Sequence, residues 1–344
     1  MKKIAIITLN GYFNYGNRLQ NYALTRFLEK KGCIAYTIWD KNAKILLKEK
    51  IKISLKFMKK YERFSNFYNF SKNNIKEINS KDVVNKKIDY IVIGSDQTWN
   101  FNEVENDEKL LGIGFENIPT ISYSASVGLS YIPNEYREVY KNSLSRLKKI
   151  SVREETGKEI LENLLKRKDI SVNIDPTLLL DAKEWDCIIK KPKNYNGEKY
   201  ILNYFLGELS PNKKKTIETI AKENNCKIIN LLDITDSYFS CGPSEFLFLL
   251  KNSFLVCTDS FHACVFSFLY DVSFVVFERE DKAIGNMGTR IDMLLSKFML
   301  INRRYNGKKI TEENIKHDYS KSYKILEKER KVSEKYFDFL LSRK

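Results

Sequence analysis

Histidine and paired cysteines are scarce in this chain of 344 residues, which contains two histidines and six cysteines. The cysteines are scattered and none forms a CxxC pair, so a site built from Cys and His ligands has little to draw on. Cys257 and Cys264 lie in apolar runs, as small core residues do. We therefore predict no metal site and expect the thiols to be reduced.

Long apolar runs are also missing. No stretch approaches the roughly 20 apolar residues that span a bilayer. The apolar run that begins at Ile4 is too short for a secretory signal. These features predict a cytoplasmic protein.

Acidic residues are fewer than basic ones, with 44 Asp and Glu against 59 Lys and Arg, for a formal net charge of +15. Such a charge attracts anionic partners: nucleic acid, an acidic membrane surface, or phosphorylated and carboxylated substrates. No RNP motif, zinc finger or heptad-bearing basic segment is present, so nucleic acid is not expected. Because the lysines are spread along the whole chain, an ordinary lysine-rich surface explains the charge equally well.

Length and a hydrophobic content of 43% are sufficient for two domains. Short apolar runs alternate with helical periodicity, which predicts an α/β fold with mainly parallel sheets and two domains facing across a cleft. A polar stretch containing Pro and Gly separates the two sets. We place the first domain at 1–181, the second at 199–320 and a closing helix at 321–344.

A segment at about 44–80 departs from this alternation. From Lys44 to Lys72 it mixes lysine with leucine, isoleucine, phenylalanine and tyrosine, and it contains no glycine or proline. Interleaved basic and aromatic side chains are typical of a surface that contacts an anionic membrane. A helical pair that covers the N-terminal domain is the alternative.

Polar clusters directly follow several predicted strands, at the edge where open α/β sheets bind ligands. The first cluster contains Asn14, Gly16 and Asn17 ahead of the first helix. Glycine lets backbone N–H groups approach an anion, and the helix dipole favours negative charge there. A plain strand-to-helix turn explains the same residues equally well.

The second cluster, Ser95, Asp96 and Gln97, follows an apolar strand. These polar groups could hold sugar hydroxyls, with Trp99 as a stacking face. The alternative is that Ser95 or Asp96 only caps the turn that follows.

Three arginines are candidate anion ligands. Arg153 stands just past an apolar strand and presents a planar fork suited to a carboxylate or a phosphate. Its neighbour Glu154 could instead pair with it structurally or cap the next helix. Arg279 and Arg290 flank a loop where they could close over an anion, although solvated surface arginines are the more common outcome.

His262 follows an apolar run at 254–257 and precedes a run that is typical of a buried helix. It is therefore predicted in the first turn of a helix at the carboxyl edge of a sheet. A phosphate is favoured there, and an imidazole can exchange a proton near neutral pH. The alternative is an inert, hydrogen-bonded histidine between domains.

Six short segments occur in a characteristic order from Asn14 to His262, and a weaker one follows at MGTRIDMLL. They are NYGNRLQNYAL, IGSDQTWN, SYSASVG, SVREETG, IDPTLLL and TDSFHA. In this order they resemble the polysaccharide pyruvyl transferase family. The resemblance implies a GT-B-like architecture of two Rossmann-like domains, with the C-terminal helix packing back on the N-terminal domain.

The same resemblance implies phosphoenolpyruvate as the donor, no further cofactor, and an acceptor sugar of a surface polysaccharide or its lipid-linked oligosaccharide precursor. The product is a pyruvate ketal, made in the cytoplasm at the inner face of the membrane. The family's catalytic histidine matches His262 and its anion-binding arginine matches Arg153. Members often carry an arginine two places before that histidine, where this chain has Ser260, which we also count among the substrate-binding candidates. Arg279 or Arg290 is expected to supply the missing contact.

Two other functions fit parts of the pattern. A GT-B-type glycosyltransferase with a nucleotide-sugar donor shares the architecture. A non-catalytic module that binds polyanions uses only the positive charge. Release of phosphate from phosphoenolpyruvate, against release of a nucleotide diphosphate, separates the two enzymes.

Overall fold

The computed structural model describes residues 1–40, 58–279 and 288–341. The N-terminal part of the segment predicted at about 44–80, up to residue 57, therefore lies outside the described residues. Residues 280–287 of the predicted loop between Arg279 and Arg290, and residues 342–344 of the predicted closing helix, also lie outside the described residues.

The N-terminal half is built on a parallel sheet of five strands in the order β3-β2-β1-β4-β5. A parallel pair, β6 and β7, continues it, because backbone bonds such as Ser122 N–H to the Lys149 carbonyl (3.1 Å) join the two sheets. Ile4, Ala5 and Ile6 of β1 are fully buried, as a central parallel strand covered on both faces requires. The strands are β1 Lys3–Ile7, β2 Ile34–Ile38, β3 Glu77–Ile78, β4 Tyr90–Ile93, β5 Thr120–Ser122, β6 Ile150–Val152 and β7 Ile170–Val172.

The C-terminal half contains a four-stranded parallel sheet in the order β11-β10-β8-β9. Its central strands are apolar and buried, which matches the sequence pattern. The strands are β8 Tyr200–Tyr204, β9 Lys227–Asn230, β10 Leu255–Thr258 and β11 Phe274–Val276.

Helices connect the strands and cover both sheets. In the N-terminal half they are α1 Tyr15–Lys30, α2 Met58–Asn74, α3 Phe101–Val104, α4 Asn134–Leu144, α5 Glu155–Leu165 and α6 Ala182–Asp186. In the C-terminal half they are α7 Pro211–Glu223, α8 Pro243–Lys251, α9 Phe261–Leu269, α10 Gly288–Lys297, α11 Glu312–Ile315, α12 Ser320–Tyr336 and α13 Asp338–Leu341. No described helix is both long and apolar enough to cross a membrane.

One hydrophobic core extends through both halves. At their junction the Tyr15 ring stacks on Phe246, with centroids 4.4 Å apart. The Tyr15 hydroxyl donates to the Cys241 carbonyl (2.7 Å). The two predicted α/β sets therefore meet through a packed interface. The domain boundaries at 181, 199 and 320 stay predictions.

Helix α2 is the main described element of the segment at about 44–80, and it contacts both halves. The Lys59 ammonium donates to the carbonyls of Ile234, Thr235 and Asp236 (2.8–3.1 Å). The Arg63 guanidinium is buried and also donates to carbonyls of the C-terminal half. The alternative of a helical pair that only covers the N-terminal domain therefore describes part of the role of α2, because α2 also holds the C-terminal half. Membrane contact stays a prediction.

The C-terminal helix packs back on the N-terminal half, as predicted. The Arg330 guanidinium of α12 donates to the carbonyls of Leu178 (2.7 Å) and Leu180 (2.8 Å). The Tyr336 hydroxyl donates to the carbonyl of Ser122 (2.7 Å). These contacts place the end of the chain against the sheet that begins it.

Candidate functional site

Asp175, three residues past the end of β7, joins four segments of the chain. Its Oδ1 accepts from the Thr177 N–H (3.0 Å) and hydroxyl (2.6 Å), which fixes the carboxylate on the turn that follows the strand. Its Oδ2 accepts from the Ser95 hydroxyl (3.0 Å) and from Arg153 Nη1 (3.0 Å). His262 Nε2 lies 3.7 Å from the same Oδ2. The strand ends of the N-terminal half and the start of α9 thus meet at one carboxylate.

The charge of Asp175 is stabilised by these neighbours. Burial alone raises the pKa of its carboxyl, but the facing His262 and Arg153 lower the pKa by more, and the net shift is downward. A permanent negative charge therefore lies beside the histidine at neutral pH.

Arg153 lies just past β6 and is 9% exposed. Its nitrogens lie 3.0 Å from Asp175, 3.6 Å from Glu154 and 3.8 Å from Asp96, and its guanidinium stands 4.6 Å from the Phe261 ring centroid. Burial lowers the pKa of Arg153, but the three carboxylates raise it by more. Only the Asp175 pair is close enough for a hydrogen bond. Arg153 Nε and Nη2 have no hydrogen-bond partner among the described residues.

His262 lies in the first turn of α9 and is 8% exposed. A Cβ added to Gly16, in the first turn of α1, would come within 2.7 Å of His262 Cε1, so this contact requires glycine. The Nδ1 side of the ring is closed by that backbone. Nε2 faces Asp175 and has no hydrogen-bond partner in the described part of the chain. The N-termini of two helices, one from each half, therefore meet at the imidazole.

Arg290 of α10 supplies a second buried guanidinium. The amide of Gln97, oriented by its neighbours, accepts from Nη1 (3.1 Å) and Nη2 (3.0 Å). Burial, and then the like charge of Arg153, lower the pKa of Arg290 from its ordinary 12.5 to about 10. Arg290 Nε has no hydrogen-bond partner among the residues described. Two guanidinium groups that disfavour each other's charge make this a place where an anion is stabilised.

A cavity of about 420 Å³, including space open to solvent, adjoins these groups. Asp175 lines it, whereas His262 does not and instead approaches Asp175 from beside the cavity. Its polar wall contains Arg153, Glu154 and Arg290, and its apolar wall contains Phe261, Leu294 and Phe298.

Some predicted site residues have local structural partners. Asn14 is the N-cap of α1, where its side chain accepts from the Asn17 N–H (3.3 Å). Ser260 is the N-cap of α9, where its hydroxyl accepts from the Ala263 N–H (3.5 Å). The position at which relatives often carry an arginine thus stabilises the helix that presents His262.

Arg279 pairs with Asp259 within the C-terminal half. Its Nε donates to Asp259 Oδ2 (2.9 Å). The same carboxylate accepts from the N–H groups of Leu206 (2.7 Å) and Gly207 (2.8 Å). This pair organises the edge of β8 and β10, whereas Arg290 contacts Gln97 of the N-terminal half.

Two acidic residues at the centre of the site had no role assigned from the sequence. Asp175 lies in the segment IDPTLLL, shortly after a strand, so the rule that singled out Arg153 and His262 applies to it too. Glu154 was considered only as a structural partner or cap. Its side chain makes no capping bond, and it lines the cavity.

Comparison with known proteins adds a family and a fold. The sequence profile of the polysaccharide pyruvyl transferases matches residues 14–281. No curated protein is significantly similar in sequence. A putative UDP-N-acetylglucosamine 2-epimerase from Listeria monocytogenes is similar in structure, with a TM-score of 0.50 and 14% identity over 100% of this chain and 98% of that one. S. aureus MnaA, solved with UDP, gives a TM-score of 0.48 and 14% identity over 95% of each chain. At this identity the likeness concerns the fold alone, and it agrees with the predicted GT-B-like pair of Rossmann-like domains.

Proposed function

Because this chain belongs to the polysaccharide pyruvyl transferase family, we propose that it transfers a pyruvyl group from phosphoenolpyruvate to a sugar of a surface polysaccharide or its lipid-linked precursor. The product is a pyruvate ketal that bridges two hydroxyls, and inorganic phosphate is released. One observation carries the proposal: two buried arginines with unpartnered nitrogens line one cavity, and a buried histidine meets the Asp175 carboxylate that lines it too.

The arginines suit the donor. Arg153 offers Nε and Nη2, and Arg290 offers Nε, as donors that no described residue uses. A planar fork matches the carboxylate or phosphate of phosphoenolpyruvate. An anion between them also relieves the repulsion that lowers the pKa of Arg290. Arg290 thereby replaces the family arginine whose position Ser260 occupies.

His262 is the proposed general acid. Its proton goes to the methylene carbon of the enol, which creates an oxocarbenium-like centre at the neighbouring carbon. Asp175, 3.7 Å from Nε2, keeps the ring in place. An acceptor hydroxyl attacks the centre, phosphate leaves, and a second hydroxyl closes the ketal. The scheme uses no metal and no cofactor beyond the donor.

The acceptor class sets the proposed location. A lipid-linked oligosaccharide is presented at the inner face of the membrane, so we place the enzyme in the cytoplasm at that surface. Basic side chains of the segment from Lys44 to Lys72 are the proposed contact.

The decisive experiment is incubation with phosphoenolpyruvate and a lipid extract of the source cell, followed by mass spectrometry and a phosphate assay. A pyruvate ketal on a glycolipid, formed in step with phosphate release, is the expected result. Release of a nucleotide diphosphate from a nucleotide sugar, with phosphoenolpyruvate untouched, would establish a glycosyltransferase instead. Salt-dependent binding to generic polyanions without turnover would establish the non-catalytic module.

A further inference from the structure

Glu154 is a buried carboxylate whose two oxygens have different environments. The residue is 6% exposed. Its Oε1 accepts a short hydrogen bond from the Ser126 hydroxyl, which in turn accepts from the Gly128 N–H (3.0 Å). Its Oε2 has no hydrogen-bond partner among the described residues and lies 3.6 Å from Arg153 Nε. One oxygen is thus held by the protein while the other remains available.

Glu154 lines the same cavity as the two arginines. A buried polar atom without a partner is costly, so such an atom at a cavity indicates a ligand group that pairs with it. Arg153 and Arg290 favour the binding of an anion in this cavity. A carboxylate oxygen repels an anion and accepts from a hydroxyl, so the cavity is complementary to both groups together.

We propose that Glu154 is the catalytic base that accepts the proton of the acceptor hydroxyl attacking the donor, an inference that rests on the proposed function. The hydroxyl O–H bond breaks and its proton goes to Oε2. The oxygen forms a bond to the enol carbon that bears the phosphate. The π electrons of the enol take the proton of His262, and a methyl group results.

The second half of the reaction returns both groups to their starting states. The C–O bond to phosphate breaks with its electron pair on phosphate, and the phosphate takes the proton from Glu154. The second hydroxyl forms the remaining C–O bond and its proton goes to His262. Two hydroxyl protons enter, one ends on the methyl group and one on phosphate, so no further reactant is required.

A purely structural role makes a different prediction. If Glu154 only balances the charge of Arg153, its neutralisation leaves the guanidinium less well held and weakens donor binding. A base acts on the acceptor, so its neutralisation removes turnover and leaves donor binding intact. General base catalysis is typically worth roughly 10²- to 10⁴-fold.

The test compares Glu154→Gln with Glu155→Gln, a neighbouring exposed glutamate in the first turn of α5. Calorimetry measures the Kd for phosphoenolpyruvate. Phosphate release measures kcat with the lipid extract and with a panel of p-nitrophenyl hexosides as acceptors. We expect Glu154→Gln to lose roughly 10²- to 10⁴-fold in kcat with Kd unchanged or lower. Glu155→Gln should match the parent in both.

Added formate gives a second readout that a structural role would not move. We expect it to restore part of the turnover of Glu154→Ala and to have no effect on the parent. If Glu154→Gln does not fold, Glu154→Asp retains the charge on a shorter side chain and should bind the donor normally but turn over slowly.

The outcomes separate the two proposals. Parent-like turnover in Glu154→Gln, or a loss of donor affinity that accounts for the lost rate, would remove Glu154 from the chemistry while the proposed function stands. A parent that releases no phosphate from phosphoenolpyruvate with any of these acceptors would overturn the proposed function and this inference together.

Discussion

Two buried arginines of this protein, Arg63 and Arg153, differ in what their guanidinium groups contact. Arg63 is 2% exposed and donates to the carbonyls of Phe239 (2.7 Å), Leu231 (3.4 Å) and Phe13 (3.4 Å). These acceptors are fixed parts of the two halves. Arg153 is 9% exposed, is hydrogen-bonded to one carboxylate, and has two nitrogens that no described residue uses.

The difference shows that burial of a charge does not by itself identify a site. Carbonyl acceptors and aromatic rings satisfy Arg63, whose guanidinium lies 4.7 Å from the Tyr15 ring centroid and 5.0 Å from that of Phe239. It joins the halves of the fold. Arg153 has anionic neighbours, unsatisfied donors and an adjoining cavity, and this combination indicates ligand binding.

The largest expected effect concerns the histidine beside Arg153. His262→Gln keeps the size and one hydrogen bond of the side chain but cannot transfer the proton. We expect kcat to fall by roughly 10²- to 10⁴-fold, with the Kd for phosphoenolpyruvate nearly unchanged. A stopped assay for phosphate measures kcat, and calorimetry measures the Kd for phosphoenolpyruvate. If the variant weakens donor binding without a selective loss of turnover, His262 is a ligand and not the acid.

The second prediction removes the carboxylate that Arg63 lacks and Arg153 has. Asp175→Asn leaves buried positive charge less compensated, which costs roughly 3–5 kcal/mol of unfolding free energy at neutral pH. The folded-state pKa of Asp175 lies below its unfolded value of about 3.9, so its contribution is present above that pH and is lost as pH falls through the folded value. Denaturant unfolding from pH 7 to pH 3 should show the difference from the parent shrinking toward the acid end.

Asp169→Asn is the matched control for that series. Asp169 also pairs with an arginine, Arg167, at 2.7 Å, but its side chain is 60% exposed. A change below about 1 kcal/mol is expected there. Equal losses in the two variants would mean that the Asp175 cluster is no more than an ordinary surface pair.

The third prediction exchanges both arginines for lysine and tests the comparison directly. Arg153→Lys keeps the charge but loses the fork, so donor use, as kcat/KM, should fall at least tenfold, about 1.4 kcal/mol. Arg63→Lys leaves buried carbonyls without donors and should cost about 1–3 kcal/mol of stability with normal donor use. The reverse pattern, or two identical phenotypes, would contradict the distinction between a joining arginine and a binding one.

The smallest effect is expected at the membrane. Lys59 and Arg63 are bonded to carbonyls, so only the other basic residues of the segment at about 44–80 are proposed to meet lipid. Each contributes on the order of 1 kcal/mol at an anionic surface. The fraction of protein that co-sediments with vesicles should rise with their anionic lipid content and fall with salt concentration. Binding that depends on neither would leave the segment only its role in holding the two halves together.

Much of the fold and part of the site follow from the sequence, because periodicity and strand-end position are local signals. The apolar run before His262 and its first-turn position are both visible in the chain, and the structure agrees. Arg63 is a structural residue because it donates to the carbonyls of Leu231 and Phe239, which lie 168 and 176 residues further along the chain. No local sequence pattern predicts contacts at that separation.

Asp175 shows a different reason for a missed residue. Its position after β7 is a local signal, but its meaning depends on Arg153 and His262 arriving at the same oxygen. Its bonds to Thr177 are local and carry no sign of that convergence. Ser260 is the opposite case. The sequence shows only that the family arginine is missing at this position, and the structure shows that the serine there caps α9.

The contact between Gly16 and His262 limits which substitutions this part of the molecule can accept. The first helix of the chain and the histidine of the other half meet with no room for a single methyl group. Relative movement of the two halves therefore changes the surroundings of the imidazole directly. Even the smallest larger residue at position 16, alanine, would collide with the ring. Any larger side chain at position 16 must displace the imidazole or separate the start of α1 from the start of α9, so a substitution there acts on both halves of the molecule at once.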